Sequence, residues 1–194
     1  MAKIKLALFA SGSGSNALKI MDFFSDSAEV EVTFLLCNKK DAPIVKLARD
    51  KQIEVFVFSN EEVEDGFFLV DFCQQKKIDI IILAGYLRKV PNELIQNFPE
   101  RVINIHPSLL PKHGGKGMYG KFVHEAVLNN KDIETGITIH FVNEEFDKGK
   151  IIAQYSCAVS PDDTLEDIQR KIQELEHTYF SEVIANTLND IYHA

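Results

Sequence analysis

Short apolar segments alternate with amphipathic ones along the first two thirds of the chain. Each apolar segment is four to seven residues long and consists mainly of Val, Ile, Leu and Phe. Runs of this kind are typical of strands in a parallel sheet that is covered on both faces. The strands predicted in this way cover residues 4–9, 30–36, 54–58, 78–84 and 102–105.

The segments between these strands carry helical signals. Pro43 and Pro91 stand at the starts of two of them, where proline suits the first helical turn. The helices predicted in this part of the chain cover residues 17–24, 43–51, 61–76 and 92–98. Regular alternation of strand and helix is typical of an open α/β sheet with helices on both faces.

The pattern changes after Pro107. A segment rich in glycine and proline predicts a loop, and a short helical segment follows it. Next come two longer strands joined by a turn, an arrangement that predicts an antiparallel hairpin. The predicted ranges are 107–120 for the loop, 121–128 for the helix, 134–142 and 150–160 for the strands, and 147–149 for the turn.

The last segment predicts one amphipathic helix that packs back on the sheet. Its apolar residues are spaced three or four apart, as one face of a helix requires. They are Leu165, Ile168, Ile172, Leu175, Tyr179 and Val183. The fold class is therefore α/β: a single domain over residues 1–194, with an open, mostly parallel, twisted sheet and an antiparallel C-terminal part.

Composition narrows the range of functions. The chain of 194 residues has a net charge of −8 and no basic cluster interleaved with aromatic residues, which disfavours nucleic-acid binding. Its apolar runs are far shorter than the roughly 20 residues that cross a bilayer. Cys37, Cys73 and Cys157 form no CxxC pair and are predicted to be buried, reduced thiols. We expect a cytoplasmic protein that binds small molecules, without nucleic-acid or membrane partners.

A run of small polar residues follows the first predicted strand. Residues 11–16 read Ser-Gly-Ser-Gly-Ser-Asn and precede a helix. Glycines let the backbone turn tightly there and bring N–H groups close to an anion. Residues 12–17 also fit a loose GxGxxA dinucleotide pattern, but Cys-Asn-Lys at 37–39 stands where that pattern needs an acid. The loop predicts a site for a single phosphate; a dinucleotide site and a plain strand–helix connection are the alternatives.

Asn104 and His106 stand at the carboxyl end of the fifth predicted strand, within the run NIHPSLLP. Residues two apart in a strand point to the same side, and ligands of open α/β sheets collect beyond such strand ends. An amide donor beside an imidazole suits acyl transfer, because one steadies an oxyanion and the other moves a proton. The alternative is a strand-end histidine whose ring is satisfied by backbone groups.

Asp147 lies in the predicted hairpin turn, within Glu-Glu-Phe-Asp-Lys-Gly at residues 144–149. An acid in such a turn is commonly a turn residue only. The functional alternative is a carboxylate directed at His106 that favours the imidazolium form. The separation of the two residues along the chain does not decide between these interpretations.

Metal and serine-hydrolase chemistry find no support in the sequence. The six histidines include no HxxxH pair, and no cysteine or acid completes a recognisable zinc set. A GxSxG nucleophile motif is absent as well. We therefore expect a metal-independent enzyme.

Taken together, these motifs resemble those of a known family. NIHPSLLPK at residues 104–112, followed by D-x-G-x-I-I at 147–152, resembles the signature of the folate-dependent formyltransferases. Over nearly its whole length the chain is similar to the glycinamide ribonucleotide formyltransferases of purine biosynthesis. The resemblance implies a Rossmann-like fold, 10-formyltetrahydrofolate as cosubstrate, glycinamide ribonucleotide as acceptor, no tightly bound cofactor, and a monomer or homodimer.

The same resemblance implies roles for individual residues. The catalytic residues would be Asn104, His106 and Asp147. The nucleotide substrate would be bound by Gly14, Ser15, Asn16, Gln173 and Glu176. Folate would be bound by Leu87, Arg88, Lys89, Val90, Asn104, Asn143, Glu144, Glu145, Phe146 and Asp147. Two segments depart from the family pattern: residues 113–120 form a longer loop, and residues 61–66 are acidic where some relatives carry an arginine, so neither contributes a predicted contact.

Three other functions fit the sequence less well. Methionyl-tRNA formyltransferases share the three catalytic residues, but they carry a further tRNA-binding domain, and this chain is acidic. Formyltetrahydrofolate hydrolases carry a regulatory domain ahead of a glycine loop that begins here by residue 11. A nucleotide-binding module without catalysis would explain the loop but would leave Asn104, His106 and Asp147 without a role.

Overall fold

The protein is described from a computed structural model, in which residues 2–193 are placed. They form two compact units that divide between Ile103 and Asn104. The N-terminal unit contains parallel strands and the helices that connect them. The C-terminal unit contains an antiparallel hairpin and a long helix. Strand β5 (Val102–His106) begins in the first unit and ends in the second.

The strands of the N-terminal unit lie in the order β3-β2-β1-β4, followed by the start of β5. The pairs β1–β2, β1–β4 and β2–β3 are parallel. The second half of β1 and all of β4 are buried, as predicted for strands covered on both faces. The bounds are β1 Ile4–Ala10, β2 Val30–Cys37, β3 Glu54–Val57 and β4 Ile80–Leu83.

The helices of this unit are α1 Ser15–Phe24, α2 Pro43–Asp50, α3 Asn60–Glu64, α4 Gly66–Gln75 and α5 Asn92–Asn97. The single helix predicted at residues 61–76 is wrong, because the chain forms two helices there. Asp65 has extended backbone angles and its side chain accepts the N–H of Phe68, so it ends α3 and caps α4. Ser59 and Glu62 form a capping box at the start of α3.

The C-terminal unit contains the end of β5, α6 (Lys121–Asn129), β6 (Glu134–Phe141), β7 (Ile151–Ala158) and α7 (Leu165–His193). The strands follow the order β5-β6-β7, and β6 and β7 are antiparallel. Helix α7 extends beyond the last apolar position that predicted it. The predicted fold class, an α/β sheet that is mostly parallel with an antiparallel C-terminal part, is confirmed. The single domain over residues 1–194 stays a prediction.

Gly149 allows the β6–β7 hairpin to close. The N–H of Phe141 donates to the carbonyl of Lys150 across the connection at 2.9 Å. A Cβ atom on Gly149 would lie 1.6 Å from the carbonyl oxygen of Phe141. No side chain fits in that space, so the glycine of the D-x-G motif is required by the close approach of two backbone segments.

The three cysteines are free, and two of them are buried. Cys37 and Cys73 are buried as predicted, and burial raises the pKa of the Cys73 thiol to about 12. Cys157 is only half-buried, which corrects the prediction for that residue. It lies on β7, where side chains alternate between exposed and partly covered positions. Among residues 2–193, no helix is long and apolar enough to span a bilayer.

Candidate active site

The structure brings Asn104, His106 and Asp147 together in the C-terminal unit. Asn104 and His106 lie two residues apart at the end of β5, and the His106 side chain is 5% exposed. Asp147 belongs to the β6–β7 connection, and its Oδ1 lies 3.6 Å from Nδ1 of His106. The carboxylate is therefore directed at the imidazole, as the functional interpretation of Asp147 requires. The catalytic roles of the three residues stay predictions.

Both ring nitrogens of His106 face acceptors. Nε2 lies 2.9 Å from the backbone carbonyl of His113, so Nε2 carries a proton and donates it. Nδ1 faces the Asp147 carboxylate at 3.6 Å, which is too long for a direct hydrogen bond. The hydrogen bond from Nε2 fixes the orientation of the ring, and Nδ1 is left to contact a ligand.

Asp147 is itself held in place by the backbone. Its Oδ2 accepts the N–H of Gly115 at 2.8 Å, and its own backbone has a φ of 56°. Its Oδ1 lies 3.8 Å from Nε2 of His140 as well as close to His106. One oxygen is thus used for positioning, while the other faces two imidazole rings.

His140 is a site residue that the sequence did not predict. Its Nδ1 donates to the carbonyl of Phe141 at 2.9 Å, which leaves Nε2 as an acceptor for Nδ2 of Asn104 at 3.1 Å. His140 therefore orients the Asn104 amide through its neutral ring. The available signal was the histidine of the apolar strand segment Ile-Thr-Ile-His-Phe, where an imidazole needs a specific partner when it is buried.

The pKa of His140 is lowered from the ordinary histidine value. Burial is the largest cause; the hydrogen bond to the Phe141 carbonyl and the charge of Asp147 oppose it, and His106 adds to the lowering. Burial also lowers the pKa of His124, again with a contribution from His106. Both rings are therefore held neutral in the folded protein at pH values where an unfolded histidine begins to bind a proton.

A pH dependence of stability follows from these two histidines. As the pH falls below about 6.5, the unfolded chain binds protons that the folded protein excludes, so the free energy of unfolding decreases. Each unit of pKa difference corresponds to about 1.4 kcal/mol. Between pH 6.5 and 5, we expect the free energy of unfolding to fall less steeply with pH in His140→Gln than in the unmodified protein. Urea unfolding measures this free energy. The exposed His193→Gln is the control; an equal slope in His140→Gln would contradict this account.

The segment that follows β5 is fixed by hydrogen bonds to the hairpin. Oγ1 of Thr138 accepts the N–H of Leu110 at 2.9 Å and donates to the carbonyl of Ser108 at 2.6 Å. Gln154 donates from Nε2 to the carbonyl of Leu110 at 3.0 Å. Strands β6 and β7 thus hold the Ser-Leu-Leu-Pro segment that leads away from His106.

The predicted phosphate loop lies in the N-terminal unit. Gly14 has a φ of 73° and precedes α1, which begins at Ser15. A Cβ atom on Gly14 would lie 2.4 Å from the Ile44 side chain, so both the backbone angles and the space require glycine. The first N–H groups of a helix have no partner within the helix. Gly14, Ser15 and Asn16 therefore place a helix start where an anion is expected.

Ser11 links this loop to the predicted folate segment within the same unit. Its Oγ donates to Oδ1 of Asn38 at 2.7 Å and accepts the N–H of Leu87 at 3.0 Å. Asn38, which stands where a dinucleotide site would carry an acid, is therefore engaged with the loop itself. It also donates from Nδ2 to Asn60 at 3.0 Å.

Residues 87–90 line an open cavity of about 550 Å³ together with Glu64 and residues 91–93. Leu87 is 52% exposed, and Arg88 forms an ion pair with Glu64 of α3. Lys89 is exposed and Val90 is buried. Residues 61–66, the acidic segment for which no contact was predicted, thus supply Glu64 as the partner of Arg88, a predicted folate-binding residue.

The other predicted binding residues lie in the C-terminal unit. The turn before Asp147 is exposed, and Nδ2 of Asn143 donates to the carbonyl of Lys148 at 3.2 Å. On α7, Gln173 is exposed and Glu176 is half-buried. The exposed turn residues are Asn143, Glu144, Glu145 and Phe146.

Known proteins show which family these features belong to. The formyl transferase family matches residues 4–184. The chain belongs to the formyl transferase family. Its fold agrees with that of the solved phosphoribosylglycinamide formyltransferase of Bacillus halodurans, with a TM-score of 0.86 at 33% identity and 95% of both chains covered. The predicted family is confirmed.

Two further relatives of this formyl transferase carry the same name. The chloroplastic phosphoribosylglycinamide formyltransferase of Arabidopsis thaliana is 46% identical over 93% of this chain, which spans 64% of that relative. The phosphoribosylglycinamide formyltransferase of Bacillus subtilis is 33% identical over 95% of this chain and 94% of its own length. The chain thus spans less than two thirds of the plant relative and nearly all of the bacterial one.

The formyl transferase site consists of nitrogen donors and one carboxylate. Among residues 2–193, no group of three or more His, Cys, Asp or Glu side chains is arranged to hold a metal ion. Metal independence stays a prediction. The arrangement can donate hydrogen bonds to a developing negative charge and can accept a proton next to it.

Proposed function

We propose that this formyl transferase transfers the formyl group of 10-formyltetrahydrofolate to the amine of N1-(5-phospho-D-ribosyl)glycinamide. The products are formylglycinamide ribonucleotide and tetrahydrofolate, as a step of de novo purine biosynthesis. Support comes from the shared name of the plant and bacterial relatives and from the polar groups around His106.

The observation that carries the proposal is the convergence of Asn104, His106 and Asp147. Nδ1 of His106 lies 3.6 Å from Oδ1 of Asp147, and Asn104 is oriented by His140 at 3.1 Å. Acyl transfer needs donors for an oxyanion and a group that moves a proton. The three side chains supply both within one cluster, in which His106 is buried.

The first step is attack of the primary amine on the formyl carbon, which converts the formyl oxygen into an oxyanion. An amide has two N–H donors. Asn104 uses one of them for His140, and the other stabilises the oxyanion. The Nδ1–H of a protonated His106 is the second donor, and Asp147 stabilises the positive charge of that ring. Preorganised donors of this kind cost no reorganisation when the charge develops.

The second step breaks the bond between the formyl carbon and the folate nitrogen. The attacking nitrogen loses one proton, and the departing folate nitrogen gains one, so charge and atoms balance. His106 or a water molecule beside it carries the proton. The formyl carbon ends on the glycinamide nitrogen, and no covalent bond to the enzyme forms.

Positioning of the two substrates contributes a large part of the rate. The helix start at Gly14, Ser15 and Asn16 binds the phosphate of the nucleotide, because its N–H groups and dipole favour an anion. Residues 87–90 bind the folate. The contacts inferred for Gln173 and Glu176 with the nucleotide, and for residues 143–146 with folate, belong to the same proposal.

The proposal also covers the cofactor requirement, the cellular compartment and the class of substrate. The donors described above supply the oxyanion stabilisation and the proton transfer that formyl transfer needs, so no metal and no tightly bound cofactor take part. The three unpaired cysteines fit a reducing compartment, and we place the reaction in the cytoplasm. Small molecules are the substrates.

An absorbance assay of tetrahydrofolate release tests the proposal. With 10-formyltetrahydrofolate alone, release is expected to be slow; adding glycinamide ribonucleotide accelerates it, with formylated nucleotide formed in equal amount. Equally fast release in the absence of the nucleotide would identify a hydrolase instead. Formylation of methionyl-tRNA in place of the nucleotide would also overturn the assignment.

A further inference from the structure

His113 contacts the site through its backbone and a buried acid through its side chain. Its carbonyl oxygen accepts the Nε2–H of His106 at 2.9 Å. Its imidazole Nε2 lies 2.6 Å from Oδ2 of Asp132. One residue therefore joins the predicted catalytic histidine to a carboxylate that does not touch that histidine.

The pair of His113 and Asp132 is buried. The side chains of the two residues are 8% and 7% exposed. The second carboxylate oxygen of Asp132 lies 2.6 Å from Nζ of Lys112, whose side chain is 57% exposed. Burial acts to raise the pKa of Asp132, but the hydrogen bonds from Lys112 and His113 outweigh it and hold the pKa below its usual range. Removing Asp132 would leave the buried imidazole of His113 without this hydrogen-bond partner.

The backbone conformation of His113 needs a contact such as the one between its side chain and Asp132. Its φ of 53° lies in the left-handed region, which residues other than glycine seldom adopt. Such a conformation persists when the surrounding contacts hold it. The bond to Asp132 is a contact of this type, and the conformation it holds is the one that presents the His113 carbonyl to His106.

The same loop also holds Asp147. The N–H of Gly115, two residues after His113, donates to Oδ2 of Asp147 at 2.8 Å. A Cβ atom on Gly114 would lie 3.3 Å from Cβ of Asp147, so the loop backbone packs closely against that residue. Residues 113–115 thus position both members of the His106–Asp147 pair through backbone groups alone.

We propose that Asp132 is a positioning residue for the formyl transfer. It holds the His113 side chain, and His113 in turn presents the carbonyl that fixes the His106 ring with Nδ1 towards Asp147. Asp132 acts through His113 and does not touch the substrates. This inference rests on the proposed function for its kinetic consequence, while the orientation of His106 is a property of the protein itself.

The test compares Asp132→Ala, Asp132→Asn and His113→Asn with Lys112→Gln as control. Asparagine tolerates positive φ, so His113→Asn keeps the backbone conformation accessible and removes only the imidazole. We expect Asp132→Ala to lower kcat about 10- to 100-fold with KM values within about threefold, because a small misplacement of a reacting group has an effect of this size. Asp132→Asn retains a hydrogen bond to the His113 ring, so its kcat should lie between those of Asp132→Ala and the unmodified protein. The kcat of Lys112→Gln should stay close to that of the unmodified protein.

A spectroscopic measurement separates positioning from general stability. In protein labelled with 15N-histidine, we expect the hydrogen-bonded Nε2 proton of His106 to give an NMR signal in the absence of substrate. We expect that signal to move upfield or to be lost by exchange in Asp132→Ala and in His113→Asn, and to stay in Lys112→Gln.

Two outcomes would overturn the inference. One is an unchanged His106 signal in both Asp132→Ala and His113→Asn; the other is an unchanged kcat in Asp132→Ala, whether or not KM rises. Should Asp132→Ala fail to fold, His113→Asn decides the question by the same signal. If the unmodified protein transfers no formyl group, the proposed function fails, whereas the NMR comparison still decides whether Asp132 orients His106.

Discussion

His106→Ala is expected to lower kcat for formyl transfer by at least about a hundredfold, the typical effect of losing one well-placed oxyanion donor. The ring also carries the proton between the two nitrogens in the proposed mechanism, so KM values for both substrates should change little. The measurement is the steady-state rate of formylated nucleotide production, with circular dichroism as a check of the fold. His193→Ala, an exposed histidine on α7, is the matched control.

Asn104→Ala and Asp147→Asn test the other two members of the cluster. Each removes a single function: the amide donor in the first case, and the negative charge beside Nδ1 of His106 in the second. Residues that act as a unit show strongly non-additive losses. The double variant His106→Ala/Asp147→Asn should therefore be only slightly slower than His106→Ala. Fully multiplicative losses would mean that Asp147 acts independently of His106.

Ser15→Asp is expected to weaken nucleotide binding strongly without weakening the fold. A carboxylate in the first turn of a helix stabilises that helix by about 0.3–1 kcal/mol. The same charge would repel a phosphate at the helix start, and like charges in contact cost several kcal/mol. The dissociation constant of the nucleotide should therefore rise at least about a hundredfold. Calorimetric titration measures it, and thermal unfolding reports the fold.

The neutral variant Ser15→Asn is the matched control, and folate affinity should stay unchanged in both variants. Ser15 is a better position for this test than Gly14. Any side chain on Gly14 would meet the backbone penalty of its positive φ and the side chain of Ile44, so loss of binding there could not be separated from misfolding. Normal nucleotide binding by Ser15→Asp would refute the phosphate loop.

The strands were predictable because their signal is local. Near-continuous apolar runs such as Ile4–Ala10 need no knowledge of the rest of the chain, and the observed strand ends fall close to the predicted ones. The division between α3 and α4 was missed because apolar periodicity continues across it. The capping box of Ser59 and Glu62, with Asp65 as the next cap, carried that information in the polar residues.

The site was predictable in part. The resemblance supplied Asn104, His106 and Asp147, and the structure shows that they meet. His140 was missed because its role depends on pairing with Asn104, 36 residues away along the chain. Asp132 was missed for the same reason, since its partner lies in the longer loop that departs from the family pattern. Contacts between distant residues with ordinary local sequence leave no signal in a single chain.

Transfer of a labelled formyl group tests the central claim most directly. The enzyme is mixed with 10-formyltetrahydrofolate carrying 13C in the formyl group and with glycinamide ribonucleotide, and the label is followed by NMR. The account predicts that the 13C signal leaves the folate and appears as an N-formyl group on the glycinamide nitrogen, at a rate that His106→Ala greatly reduces. Appearance of the label as free formate, or an unchanged rate in His106→Ala, would contradict it.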